Sequence, residues 1–446
     1  MCPFFLGKTV CVCICAPCRL CRGALFCCQK GARFRILSRK GVSCESKKQL
    51  SNVYLYTFFS TFTITDAVWV ALLAARGFTL AQIGLAEGIF HAVSLLCEVP
   101  SGMAADLLGR RRTLAASGLM ACGSALTMAF GNSFAAVCLA MGASALSYNL
   151  ISGTQEAITY DSLKQAGRSG EYLQVDANCC QLQTAGRLLS DCCSMLSGVL
   201  SFVGFYLADA VVGLVRTVAA VFLKEPVVTR TQAARQSNPL RGIGRRLADH
   251  VRLTARFLTG SPRVALYIAA NAVISLPCYL SYMYLQQRLV QAGFPTRWLG
   301  LPMLLTEAGG VLGVALGRRL RVRRLGLFYA VCALVCGVST MAAGAAPVAG
   351  AIAGGALISV STQAWFLHVQ QRLNDAYPSD QRATLVSVDS MAYSLLMIPA
   401  SPLTGWVGDV TGHAGAGLVA LGAVVLLSAA AAGFSAMHRR GAVKMK

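Results

Sequence analysis

Ionisable side chains interrupt the long apolar stretches of this sequence. At such positions they could bind a solute or carry protons. Asp66 lies in the middle of one stretch, and Glu87, His91 and Glu98 lie in the next. Residues three or four apart share a face of a helix, so positions 87, 91, 94 and 98 predict one polar stripe. A carboxylate one turn away favours the protonated form of an imidazole, which makes Glu87 and His91 a candidate proton relay.

Two later stretches repeat this pattern. Residues 149, 156 and 160 share one stripe, and residues 183, 187, 191 and 194 share another. Arg187 and Asp191 either neutralise each other in a packed interface or contact a solute. Arg187 could also pair with Glu156, a pairing that protonation of the carboxyl would release. We therefore predict a cavity for substrate and protons. Its expected lining is Asp66, Glu87, His91, Glu156, Arg187, Asp191, Glu307 and Asp389.

The composition indicates that these stretches lie in a membrane. Hydrophobic residues make up 55% of the 446 residues and charged residues 13%, about half the charged fraction of an ordinary globular chain. The net charge of +22 resides in short loops between apolar runs rather than on amphipathic faces. This distribution argues against a nucleic-acid partner.

The apolar runs predict twelve transmembrane helices, each of about 20 residues or more. They cover residues 53–75, 80–104, 113–131, 134–160, 178–199, 205–224, 264–288, 298–317, 325–344, 347–369, 384–407 and 414–436. The expected fold class is therefore an all-α, polytopic membrane protein.

Loop charges give the expected orientation. One set of loops carries many basic residues: Arg110, Arg111, Arg112, Lys164, Arg168, Arg318, Arg319, Arg321, Arg323, Arg324, Arg372, Arg382 and the stretch 224–263. The other set contains only Arg76, Arg288 and Arg297. Because basic loops stay in the cytoplasm, we expect both termini to be cytoplasmic.

A long polar segment divides the spans into two groups of six. We predict a basic, Cys-rich, disordered cytoplasmic tail at 1–52 and a six-helix bundle at 53–224. A basic cytoplasmic linker at 225–263, a second six-helix bundle at 264–437 and a cytoplasmic tail at 438–446 follow.

One loop carries a recognisable motif. Gly102, Asp106, Gly109, Arg110 and Arg111 keep the spacing of G-x-L-A-D-x-x-G-R-R/K-x-x-L, with Met at the position where Leu is usual. This motif resembles the loop between the second and third helices of the major facilitator superfamily. The resemblance implies that these five residues form a cytoplasmic gate, in which Asp106 pairs with an arginine while that side is closed.

The segments 152–164 and 378–405 also resemble a bacterial branch of this superfamily, so the likeness covers roughly residues 52 to 437. It implies two pseudo-symmetric six-helix halves and alternating access. Helices 1, 2, 4 and 5 of such proteins line the central cavity, whereas helix 6 is peripheral. Asp209 and Arg216 are accordingly expected to be scaffold or interface residues. The glycine-proline motif of drug/proton antiporters is not found in the fifth span.

These features predict a secondary transporter for a small organic solute in the plasma membrane, coupled to protons and exporting. A uniporter, an importer of a sugar or metabolite, and a non-transporting receptor remain alternatives. We expect no enzymatic activity, because HExxH, G-x-S-x-G and phosphate-binding loops are missing near the spans. We also expect a monomer with anionic lipid at its basic loops, and no cofactor or resident metal.

The N-terminal tail leaves three interpretations open. Cys18, Cys21, Cys27 and Cys28 could bind a metal, although their spacing fits no zinc module. S-acylation beside the membrane is a second possibility. The tail could instead be leader sequence upstream of the true start.

Overall fold

The computed structural model describes residues 44–226, 252, 259–376 and 382–444. The tail cysteines up to Cys28 and most of the predicted linker lie outside these ranges. Every regular element within them is a helix, so the predicted all-α class is confirmed.

The first half of the chain forms eight helices. They are α1 (Cys44–Thr61), α2 (Trp69–Ala75), α3 (Leu80–Leu108), α4 (Arg110–Phe130), α5 (Phe134–Ile151), α6 (Thr154–Gln165), α7 (Tyr172–Cys192) and α8 (Phe202–Val221). Short 3₁₀ turns at Ser169–Glu171 and Cys193–Gly198 flank α7.

The second half forms six longer helices. They are α9 (Pro262–Gln291), α10 (Gly300–Arg319), α11 (Leu325–Ala345), α12 (Val348–Ala376), α13 (Arg382–Thr411) and α14 (Ala416–Lys444). A 3₁₀ turn at Thr296–Trp298 precedes α10.

In the part of the chain that the structure describes, nine helices are long and apolar enough to cross a membrane. The predicted number of twelve spans stays a prediction. The first predicted span, 53–75, is not one continuous helix as expected, because α1 ends at Thr61 and α2 begins at Trp69. The fourth, 134–160, is interrupted at Ser152–Gly153, where Gly153 adopts φ 73°. Asp66 therefore lies in a helix break, not in the middle of a helix.

The helices pack in pairs within each half and meet along one long seam. α4 packs along α8 in the first half, and α11 packs along α14 in the second. Between the halves, α3 runs along α13. A Cβ at Gly88 of α3 would lie 2.9 Å from the carbonyl oxygen of Ile398, so glycine permits the close approach of the two backbones.

We name the two ends of the molecule by their loops. The motif side contains the turn between α3 and α4, and the far side is the opposite end. On the far side, both carboxylate oxygens of Asp409 accept backbone N–H groups of α3, from Leu80 at 2.9 Å and Ala81 at 2.7 Å. The Ser194 hydroxyl accepts the N–H of Gly300 at 2.9 Å and donates to the Arg297 carbonyl at 3.2 Å. These bonds seal the two halves together on the far side.

Candidate functional site

The break between α1 and α2 is held open by a carboxylate from α8. Asp209 accepts the N–H of Ile64 at 2.5 Å, and the N–H and hydroxyl of Thr65 at 3.3 and 2.5 Å. The Ser190 hydroxyl of α7 accepts the N–H of Thr63 at 2.8 Å. These acceptors replace the helical partners that the backbone loses at the break. The unwound segment places Asp66 between the two halves.

A tyrosine of the second half joins two carboxyls of the first. The Tyr282 hydroxyl of α9 donates to Asp191 Oδ1 at 2.9 Å and is also hydrogen-bonded to Asp66. Arg187 of α7 and Glu307 of α10 interact electrostatically with the same carboxyls. We call Asp66, Arg187, Asp191, Tyr282 and Glu307 the Tyr282 cluster. Its members come from both halves of the chain.

Two atoms of this cluster retain hydrogen-bonding capacity. Asp191 is 1% exposed, yet its Oδ2 has no hydrogen-bond partner among the described residues. The Nε of Arg187 likewise lacks an acceptor within the described ranges. Buried polar atoms are nearly always paired, so Asp191 Oδ2 can accept a hydrogen bond from a ligand or take up a proton, and Arg187 Nε can donate to a ligand.

Glu87 and His91 form a second link between the halves. His91 Nε2 lies 3.3 Å from Glu87 Oε1, and both side chains are buried. His91 Nδ1 lies 3.2 Å from the hydroxyl of Ser394 in α13, and the imidazole packs edge-on against Tyr393. The predicted pair is therefore brought together in the structure, and it extends by one hydroxyl into the second half. Glu98, further along α3, is hydrogen-bonded to Ser387 of α13.

Two other predicted residues have separate surroundings. Glu156 lies in the first turn of α6, near Tyr172 of α7. Asp389 accepts the amide N–H groups of Asn271 at 3.1 Å and Gln370 at 2.9 Å, both in the second half. Asp389 is thus satisfied by neutral donors, and its hydrogen bonds do not join the Tyr282 cluster.

A cavity of about 120 Å³ lies within the first half and touches α9. Asp66 and Glu87 line it, and so do Asp209 and Arg216 of α8. The binding role predicted for Asp66 and Glu87 stays a prediction. The expectation that Asp209 and Arg216 are scaffold or interface residues also stays a prediction, and the bonds of Asp209 to the unwound segment agree with it. The spacing of 206, 209, 213 and 216 places them on one face of α8, a signal that was present in the sequence.

The motif turn is held by α6 and by Glu225, which follows α8. Gly109 adopts φ 96°, a conformation that glycine tolerates best. Glu225 then accepts the N–H groups of Arg110 at 2.9 Å and Arg111 at 2.8 Å at the start of α4. The Arg110 guanidinium pairs with Asp161 of α6 and donates to the backbone carbonyl of residue 157 at 2.6 Å.

Two motif residues behave differently. The side chain of Asp106 lies outside the described part of the structure, so its expected pairing with an arginine stays a prediction. Gly102 is exposed, and a Cβ built on it would meet nothing within 4 Å.

Comparison with known proteins places this architecture in a class. No family model matches the chain. A 96-residue stretch is 38% identical to the uncharacterized MFS-type transporter YxaM of Bacillus subtilis (strain 168). This match covers 21% of the chain and 23% of that relative's length.

Solved structures agree over a much larger part of the chain. The crystal structure of the nucleoside transporter NupG aligns with a TM-score of 0.66 at 14% identity, over 87% of this chain and 97% of that one. A POT family transporter in complex with a thioalcohol-conjugated peptide aligns with a TM-score of 0.56 at 11% identity, over 85% and 94% of the two chains.

The protein is a multi-pass membrane protein with the fold of the major facilitator transporters. The resemblance drawn from the motif loop is thereby confirmed. The similar proteins are transporters and not enzymes, in agreement with the lack of catalytic motifs in the sequence.

Proposed function

We propose that this protein moves a small organic solute across the plasma membrane by alternating access, coupled to protons and in the direction of export. One observation carries the proposal: the Tyr282 cluster joins ionisable groups of both halves at their interface. We propose further that the protein is a monomer and that both termini are cytoplasmic.

The charge balance of the cluster supports a coupling role. Asp66, Asp191 and Glu307 outnumber the single Arg187, so the fully ionised cluster has an excess of negative charge. Such an excess is costly inside a membrane and is relieved by a bound proton or by a solute that donates hydrogen bonds. Because Tyr282 belongs to the other half, the charge state of the carboxyls changes the attraction between the halves. Binding can therefore change the equilibrium between the sealed and open far side.

The Glu87–His91 pair provides a second proton site on the same interface. A proton on His91 converts the contact with Glu87 into an ion pair, while Nδ1 faces Ser394 of the other half. A proton that moves between this pair and the Tyr282 cluster would remain near the seam. We assign the pair the role of relay and the cluster the role of coupling site.

Flux in proteoliposomes with an imposed pH gradient tests this function. Nucleosides and peptides form the first solute panel, because structurally similar proteins are transporters of the nucleoside and POT types. An internal pH dye measures proton movement driven by each solute. We expect solute-dependent proton flux in the native protein and little or none in Asp191→Asn. Asp389→Asn is the matched control, since Asp389 makes its hydrogen bonds within the second half.

Each outcome of this assay has a definite meaning. Solute flux that does not depend on the pH gradient would show that the protein is a uniporter and is not coupled to protons. Equal loss of proton flux in both variants would remove the special role of the cluster. The lack of flux for every solute in a folded preparation would favour a receptor.

A further inference from the structure

The cavity in the first half contains a buried arginine that the proposed transport mechanism does not use. Arg216 is 4% exposed and lines the cavity. Its Nη2 donates to the carbonyl oxygen of Ser117 at 2.6 Å and to the hydroxyl of Ser147 at 2.5 Å. Both partners are neutral. Its Nε has no acceptor among the residues that the structure describes.

A second buried arginine shows how such a side chain is satisfied for a structural purpose. Arg288 of α9 is 7% exposed and also donates only to neutral groups in the described part of the chain. Its Nε donates to the carbonyl of Gly344 at 3.0 Å, and its Nη2 to that of Ala346 at 2.9 Å. Arg288 does not line the cavity. Arg216 therefore lines the cavity and has an Nε without an acceptor among the described residues, and Arg288 has neither feature.

The carboxylates that share the cavity are already engaged elsewhere. Asp209 binds the unwound segment between α1 and α2, Glu87 lies against His91, and Asp66 is hydrogen-bonded to Tyr282. Asp209 and Arg216 are seven residues apart on α8, which separates them by about 10 Å along the helix. The positive charge of Arg216 consequently has no counter-charge within the described residues. A buried guanidinium in this situation is stabilised strongly by an anion.

We propose that the Arg216 end of this cavity binds a small monoanion, with a carboxylate on a compact apolar body as the preferred ligand. The guanidinium lines this space, and an anion there would satisfy by a charge-assisted hydrogen bond a donor that has no acceptor among the described residues. Ser124 and Ser144 line the cavity too, and the Ser124 hydroxyl already donates to the Ala140 carbonyl at 2.7 Å. Phe62 and Met141 supply apolar lining. The volume of about 120 Å³ is close to that of a cavity known to hold benzene, about 150 Å³. The site does not depend on the proposed transport activity, because Arg216 and its hydrogen-bond partners Ser117 and Ser147 belong to the first half, although Tyr279 of α9 also lines the cavity.

Binding to the purified, full-length protein tests this site directly. Trp69 lines the cavity, so its fluorescence reports on occupancy, and the thermal midpoint reports on stabilisation. The probes are sodium benzoate, sodium acetate and sodium chloride. Benzamide and acetamide are the uncharged counterparts of nearly equal size. We expect saturable effects of the carboxylates and none of the amides.

Four variants separate an anion site from a structural arginine. Arg216→Gln should weaken benzoate binding on the order of tenfold or more, since a charge-assisted hydrogen bond is lost. Arg216→Lys keeps the charge and should retain part of the affinity, which also covers the case in which Arg216→Gln does not fold. Ser147→Ala removes a neutral partner of the guanidinium and should leave anion binding intact. Arg288→Gln, the matched loss of a buried cation, should bind benzoate as the native protein does.

Several results would overturn the proposal. Equal effects of benzoate and benzamide would show an apolar cavity without anion selectivity. Unchanged benzoate affinity in Arg216→Gln would place binding elsewhere, and the lack of saturation by all three anions would refute the site. Saturation by chloride alone would support the site and identify an inorganic ion as its ligand.

Discussion

The two ends of the molecule use similar hydrogen bonds for different purposes. On the far side, Asp409 of the second half accepts the first N–H groups of α3 in the first half. On the motif side, Glu225, the first residue of the predicted linker after α8, accepts the first N–H groups of α4 in the first half, and no residue of the second half takes part in these two bonds. The far-side contact joins the two halves, whereas the motif-side contact stiffens one of them. The same kind of contact therefore joins the two halves at one end, where we call it the seal, and fixes a single turn at the other, where we call it the brace.

This difference fits a molecule that opens at one end at a time. The contacts of the motif turn, from Arg110 to Asp161 and Glu225, can persist while the halves rotate. Under the proposed alternating access, the bonds of Asp409 and Ser194 would have to break for the far side to open. Substitutions on the far side should thus weaken the contact between the halves, whereas substitutions on the motif side should lower the stability of the fold.

The largest effect is expected from Gly300→Val on the far side. A Cβ at Gly300 would overlap the carbonyl oxygen of Asp191, so the side chain must push the halves apart. Overpacking of this kind costs about 1–3 kcal/mol. Hydrogen exchange measured by mass spectrometry should show faster exchange at the capped N–H groups of Leu80, Ala81 and Gly300.

Gly102→Ala on the motif side is the control for this change. A Cβ at Gly102 has open space around it, so exchange at both ends and the thermal midpoint should stay close to the native values. If Gly300→Val left the exchange of Leu80 and Ala81 unchanged, the far-side contacts would not act as one seal.

Asp161→Ala should have the next largest effect, and it should act on stability alone. Arg110 and Asp161 are 16% and 13% exposed, so removal of the carboxylate leaves a largely buried guanidinium without its counter-charge. Because some solvent reaches the pair, we expect a loss of about 1–3 kcal/mol rather than the full cost of a buried pair. The thermal midpoint should fall while exchange at Leu80 and Ala81 stays native. Faster exchange there would show that the motif turn is coupled to the seal.

Asp409→Ala should weaken the seal without affecting the brace. A side-chain acceptor at a helix N-terminus stabilises the helix by about 1 kcal/mol. Because Asp409 is exposed, its contribution should not exceed that order. Exchange at Leu80 and Ala81 should therefore accelerate about fivefold. Glu225→Ala removes the corresponding acceptor from α4 and should accelerate exchange only at Arg110 and Arg111. Acceleration at both ends by either variant would contradict the division into seal and brace.

The sequence was sufficient for the class of fold and for part of the site. Apolar runs with basic loops predicted the membrane helices. Helical spacing pointed to Arg187 and Asp191, and single charges inside apolar runs pointed to Asp66 and Glu307, all of which the structure places in the Tyr282 cluster. Tyr282 itself was not predicted, because a tyrosine in an apolar helix gives no charge signal. Its role depends on a packing between halves that sequence spacing does not contain.

The other differences between the predicted and the observed structure also arise from contacts between residues that are far apart in the sequence. The break after Thr61 depends on the carboxylate of Asp209, 145 positions after Ile64. Without that contact, the apolar run at 53–75 looks like one span. Asp209 and Arg216 were set aside because helix 6 is peripheral in the family. Both residues nevertheless line the cavity in the first half.

The smallest effect is expected from Glu171→Gln, in the loop before α7. Arg168 donates to both carboxylate oxygens of Glu171, at 2.8 and 2.6 Å, and this contact holds the pKa of Glu171 below its usual value. A lowered pKa in the folded state stabilises the fold above the unfolded-state pKa, and the contribution disappears as the pH falls through the folded-state pKa. Because Glu171 is exposed, solvent screens the pair. The thermal midpoint of Glu171→Gln at neutral pH should therefore stay within about 1 °C of the native value. The difference between the two proteins should vanish in acid. A decrease as large as that of Asp161→Ala would mean that the brace extends from the motif turn into this loop.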